Sequence, residues 1–90
     1  MPKKIAVLVR DRQGEALRMS LGLVLVDDVV DVYVLDRKLE ETGEAGLHLE
    51  TLKEMDIPIR TNCRENEGMD YLPGEEIARS LSQYDHILAY

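Results

Sequence analysis

The sequence predicts an α/β domain of three layers, α/β/α, with helices on both faces of a mainly parallel sheet of four strands. Two observations carry this. Four short runs of aliphatic and β-branched residues, near 4–10, 29–35, 57–62 and 86–90, recur along the chain, and stretches with helical spacing at 13–26, 47–55 and 74–84 separate them. Connections of that length let neighbouring strands run parallel through right-handed crossovers.

Ile5 to Val9 is an unbroken aliphatic run closed by Arg10 and Asp11, the pattern of a strand buried on both faces. From Gln13 to about Val26, the residues Ala16, Leu17, Met19, Leu21, Leu23, Val24 and Leu25 cover much of a helix surface, and Asp27-Asp28 closes it. Val29 to Leu35 is the second strand, ended by Asp36-Arg37. Glu40 to Gly46 is polar, contains two glycines and reads as a loop, after which Leu47, Leu49, Leu52 and Met55 mark one face of a short helix. Ile57 to Thr61 is the third strand, and Pro58 near its start suits a sheet edge, where one ladder donor can be spared. Pro73-Gly74-Glu75-Glu76 opens the last helix with Ile77, Ala78 and Leu81 inward, and His86 to Tyr90 supplies the last strand.

Ninety residues make a single domain, 1–90, near the size at which one core only just offsets chain entropy. The core candidates are almost wholly aliphatic, with no Phe and no Trp, and so thin a core implies support from a homo-oligomer. Met69, Tyr71 and Leu72, which interrupt an otherwise polar loop, are the expected interface residues. The formal net charge is −7 and no basic cluster is longer than Lys3-Lys4 or Arg37-Lys38, which argues against nucleic acid as a partner. No run approaches the roughly twenty apolar residues that span a bilayer. The five-residue apolar run near the N-terminus is too short for the core of a signal peptide. A cytoplasmic chain that does not associate with membranes is expected, its thiol kept reduced.

In a parallel sheet the carboxyl ends of the strands share one edge, where ligands and partners dock. Here that edge collects Arg10, Asp11, Arg12, Asp36, Arg37, Asn62, Cys63 and Tyr90. Cys63 is the only cysteine, so no disulfide can form within the chain. Arg60 and Arg64 favour its thiolate whereas Glu65 and Glu67 oppose it, and a helix opening after it would add a stabilising field. A small buried side chain is the other reading, and the residues leave both open. Asp11-Arg12-Gln13-Gly14-Glu15 lies where a phosphate meets a helix N-terminus, but it lacks the spaced glycines of a dinucleotide loop and reads as a turn. His48 and His86 have no Cys or carboxylate at metal-ligand spacing, so no metal is expected.

A resemblance joins these pieces. The first strand from Lys3 to Arg10, Glu15-Ala16-Leu17-Arg18, the strand Val30 to Leu35 and Leu52-Lys53-Glu54-Met55 are followed by Ile57-Pro58-Ile59 and Thr61-Asn62-Cys63-Arg64-Glu65-Asn66-Glu67-Gly68-Met69. Glu76-Ile77-Ala78 and Tyr84 to Tyr90 close the series, and in this order and spacing it resembles the DsrE/DsrF-like proteins. The resemblance implies a sheet of order 3-2-1-4 and, as in the sulfur-relay members of the TusD type, a cysteine that accepts and passes on a persulfide. That residue is Cys63, with Asn62, Arg64 and Arg10 as supporting residues, a protein sulfur donor and a protein acceptor as partners, and no metal or organic cofactor. It also implies assembly into oligomers. Members often carry a further short strand around Met69 to Pro73, where this chain is short, and whether one forms near Met69 to Leu72 stays open.

With that order Cys63 falls two strands from the switch point near Arg10 to Gly14, on the order of 10 Å away. Transfer to a protein partner fits that placement better than a deep pocket. Two further readings stand beside it: a non-catalytic subunit of such an oligomer, with Cys63 incidental, and a small-ligand-binding module built on the Arg10 to Gly14 turn.

Overall fold

The computed structural model describes residues 3–25, 29–36, 38–39, 43–66 and 68–90. Its elements run β1 (Lys4–Val9), α1 (Gln13–Leu25), β2 (Val29–Val34), α2 (Gly43–Glu54), β3 (Ile59–Thr61), β4 (Asp70–Tyr71), α3 (Gly74–Leu81) and β5 (His86–Ala89). All strand pairs are parallel, and the sheet order is β4-β3-β2-β1-β5. The expected 3-2-1-last order is therefore present, with one more strand than the four expected. The addition, β4, sits outside β3, pairing Arg60 with Asp70 and Thr61 with Tyr71.

Period-two alternation decides the layers. Ile5, Val7, Val9, Val30, Val32, Val34 and Ile59 pack with Ala16 and Leu17 of α1 and with Leu49 and Leu52 of α2. Ala6, Leu8, Tyr33 and Leu35 point the other way, against Ile77 of α3, with Leu72, Leu81 and Tyr84 around them. Handedness explains the division. The chain steps from β1 to β2 to β3 in one direction and returns from β4 to β5 across the whole sheet in the other, so right-handed crossovers put α3 on the opposite face from α1 and α2.

Several local expectations change. Pro58 does not mark an edge, because β4 covers β3; Pro58 precedes β3, and its carbonyl accepts from the Val32 N–H at 2.9 Å. α2 begins at Gly43, within the stretch expected as loop, because Ala45 and Leu49 bury against the core and outweigh the poor helix propensity of Gly43 and Gly46. Residues 40–42, like Asp27-Asp28, lie outside the described residues. On α2, Leu49 and Leu52 are buried but Leu47 is 62% and Met55 40% exposed. At 100° per residue Leu47 cannot share a face with Leu49, and the true stripe is Ala45, Leu49, Leu52. α3 ends at Leu81 rather than near 84, and Ser82, Gln83 and Tyr84 continue it only as tight i to i+3 bonds. Ala78 of α3 is exposed, whereas Ile77 is buried.

Candidate functional site

The carboxyl edge of the sheet is organised around the ends of β1, β2 and β3. Asp36, just past β2, has left-handed backbone at φ 69°, a conformation that Asp tolerates better than most residues. Asn62, just past β3, holds it there: Asn62 Oδ1 accepts the Asp36 N–H at 2.7 Å, and Asn62 Nδ2 donates to Asp36 Oδ1 at 3.1 Å. From the other side Arg10, just past β1, brings Nε to 3.5 Å from Asp36 Oδ2. Arg10, Asp36 and Asn62 thus form a polar row across the ends of three neighbouring strands, spanning the gap between the switch point and the Cys63 loop.

Cys63 follows Asn62 and is half-buried. No helix opens after it. Instead Cys63 to Asn66 is a turn in which the Asn66 N–H donates to the Cys63 carbonyl at 3.2 Å. Thr61 Oγ1 accepts the Cys63 N–H and Asn66 Nδ2, each at 3.0 Å, and Asn66 Oδ1 accepts the Leu39 N–H at 2.7 Å. Both Thr61 and Asn66 are buried. The turn that carries the thiol is therefore pinned to β3 and to the segment after β2. Further along, Gly68 takes φ 79°, a backbone conformation that favours glycine.

Of the residues expected around the thiol, Asn62 adjoins it in sequence and Arg10 is connected to it through Asp36 and Asn62. The Arg64 guanidinium lies 4.7 Å from the centre of the Tyr71 ring, and Tyr71 pairs with Thr61. Tyr71 is 41% exposed, whereas Met69 and Leu72 are half-buried and pack against the two cores.

The start of the first turn is tied to the end of β5. The Tyr90 carbonyl accepts the N–H groups of Arg10 at 2.9 Å and Asp11 at 3.2 Å, and Arg12 lies 5.6 Å from the Tyr90 ring centre. Two of the backbone amides of the Arg10 to Gly14 turn are therefore bonded within the protein.

A second polar cluster was not anticipated. On the α3 face of the sheet, Asp31 is buried within the aliphatic strand β2 and accepts a hydrogen bond from the Tyr84 hydroxyl, which in turn lies 2.8 Å from the Tyr33 hydroxyl. Arg60 Nη1 stands 3.5 Å from Asp31 Oδ2, and its guanidinium is 5.7 Å from the Tyr33 ring centre. Burial, followed by the hydrogen bonds to Asp31 and Tyr33, pushes the Tyr84 pKa far above the ordinary tyrosine range. For Arg60 burial works downward, but the charges of Tyr33, Asp31 and Tyr84 outweigh it and its pKa is raised. The signal in the sequence was Asp31 two residues from Tyr33 inside Val29–Val34, which places both on one face. Their partners depend on a register the sequence alone does not supply. This cluster fastens the chain after α3 to the sheet.

Among the described residues, no group of three or more His, Cys, Asp and Glu side chains is arranged to hold a metal ion, and no helix is long and apolar enough to cross a membrane. No family model, no curated protein and no solved structure matches the chain.

Proposed function

We propose that this chain is a cytoplasmic sulfur carrier that accepts a persulfide on Cys63 from one protein and passes it to another, working as a homo-oligomer. The observation that carries the reading is a half-buried thiol held by a pinned turn at the carboxyl edge of a parallel sheet. Such a turn fixes the backbone that carries the thiol at an edge where partners dock. The transfer conserves electrons: the Cys63 thiolate attacks the outer sulfur of a donor persulfide, a new S–S bond forms at Sγ, and the donor's inner sulfur departs as a thiolate. Delivery reverses the roles, with an acceptor thiolate attacking the outer sulfur and Cys63 leaving.

Asn62, Asp36 and Arg10 act here as the rigid floor beside the thiol, and Arg64 on Tyr71 offers an exposed cationic and aromatic patch on which a partner can rest. The bonded amides at Arg10 and Asp11 weigh against the small-ligand reading. Incubation with a small-molecule persulfide donor should add one sulfur atom to the wild-type chain by intact-mass measurement and none to Cys63→Ser. The substitution should change stability by less than about 1 kcal/mol, because the turn is held by backbone and by Thr61 and Asn66 rather than by the sulfur. A thiol that resists alkylation in the native protein would remove the basis of the proposal.

A further inference from the structure

α3 is held to the sheet at few points. Ile77 is its one buried residue, Pro73 at its start makes no side-chain capping bond, and among the described residues none of its side chains enters an ion pair. Backbone bonds to strands flank it on both sides: the Leu72 N–H donates to the Thr61 carbonyl and the Asp85 N–H to the Lys4 carbonyl, each at 2.8 Å. Between those two points the backbone bonds of Pro73 to Tyr84 stay within the segment, as do the side-chain bonds of Ser80 and Ser82. Tyr84 is the exception, its hydroxyl joined to Asp31 and Tyr33. A second observation lies beneath it. Arg60 Nη1 is buried, makes no hydrogen bond among the described residues, and stands 3.5 Å from Asp31 Oδ2, the oxygen that Tyr84 occupies. Two donors from different segments thus converge on one carboxylate oxygen, and only one of them is bonded to it. A buried donor left unbonded costs free energy, and a bond to Asp31 would recover it.

We propose that the segment Pro73 to Tyr84 is a lid that opens as a unit about Leu72 and Asp85, and that Asp31 passes from the Tyr84 hydroxyl to Arg60 as it does so. With the lid closed, Asp31 accepts from Tyr84; with it open, the guanidinium closes the gap and keeps the carboxylate paired. That exchange offsets part of the cost of opening. β5 stays on β1 through its own ladder, and Arg60 keeps its place beside the Tyr33 ring in β2. Opening uncovers Ala6, Leu8, Tyr33 and Leu35, an apolar sheet face that the closed lid hides. Segments with few buried contacts open at a lower free energy than the whole protein unfolds, and α3 is such a segment. Lid opening and the chemistry of Cys63 stand or fall independently.

Native-state amide hydrogen exchange, followed by NMR at low urea concentrations, tests both parts. In the wild type the amides of Ile77 to Leu81 should exchange together, through an opening that depends weakly on urea and precedes exchange at Val7 and Val32 in the sheet centre. Tyr84→Phe removes the latch and should speed α3 exchange about tenfold while leaving α1 unchanged. Arg60→Met takes away the group that receives Asp31 in the open state and should slow α3 exchange, although it also removes an ion pair from the closed protein. Faster α3 exchange in Arg60→Met would overturn the handover of Asp31. Should that variant fail to fold, the guanidinium signals of Arg60 in Tyr84→Phe decide: slowed exchange with water marks a new bond to Asp31, and signals unchanged from the wild type overturn the handover. Wild-type α3 amides that exchange with the same urea dependence as the sheet centre would overturn the lid.

Discussion

With its amide oxygen on the Leu39 N–H and its amide nitrogen on Thr61 Oγ1, Asn66 ties the Cys63 turn to the end of β3 and to the segment after β2. Asn66→Ala should lower stability by about 2 kcal/mol in urea unfolding, since it leaves the buried Leu39 N–H without its acceptor while Thr61 Oγ1 keeps its bond to the Cys63 N–H. It should also speed native alkylation of Cys63 by freeing the turn. Tyr84 makes a second residue-scale test. In the unfolded chain it ionises near pH 10, whereas in the folded protein its pKa is raised, so above about pH 10 the unfolded state gives up a proton that the folded state keeps. Its contribution is full below that pH and is lost as pH rises further. Tyr84→Phe should cost about 1–2 kcal/mol at neutral pH, by leaving Asp31 without its donor, and should make the alkaline fall in the unfolding midpoint shallower than in the wild type. Cys63 and Asn62 were legible in the sequence because a strand end announces itself. Asn66, Asp31, Tyr84 and Arg60 were not, because what each side chain meets is fixed by register between distant segments, such as Tyr33 opposite Arg60.

Among the elements, α3 stands alone on its face while α1 and α2 share the other. Ile77 is its one buried residue, 4% exposed, at the centre of the smaller core. Ile77→Ala should therefore cost about 2–4 kcal/mol by chemical denaturation, and the exposed Leu47→Gln, at a position read from sequence as core-facing, less than about 0.5 kcal/mol. The strands and helices could be read because long periodic runs announce them. Two departures from the expected elements have separate causes. β4 is too short for any periodicity and exists because it pairs with the open side of β3, the Leu72 N–H extending the contact to the Thr61 carbonyl at 2.8 Å. The early start of α2 runs through two glycines whose low propensity is overruled by burial of Ala45 and Leu49.

At the scale of the whole molecule, alternation of strands and helices was enough to predict a mainly parallel sheet covered on both faces, since few topologies satisfy short right-handed connections. What the sheet order adds is placement: Arg10, Asp36, Asn62 and Cys63 come from three separate strand ends and share one edge only because β1, β2 and β3 are neighbours. If that edge is a sulfur-transfer site, the fold must make Cys63 a better acceptor than the same cysteine in a disordered chain. The decisive measurement is the rate at which a small-molecule persulfide donor loads Cys63 in the native protein, compared with the rate in the same protein unfolded by urea. A native rate several-fold above the unfolded rate is the result this account predicts; a native rate below it would mean that the fold merely shields an incidental thiol.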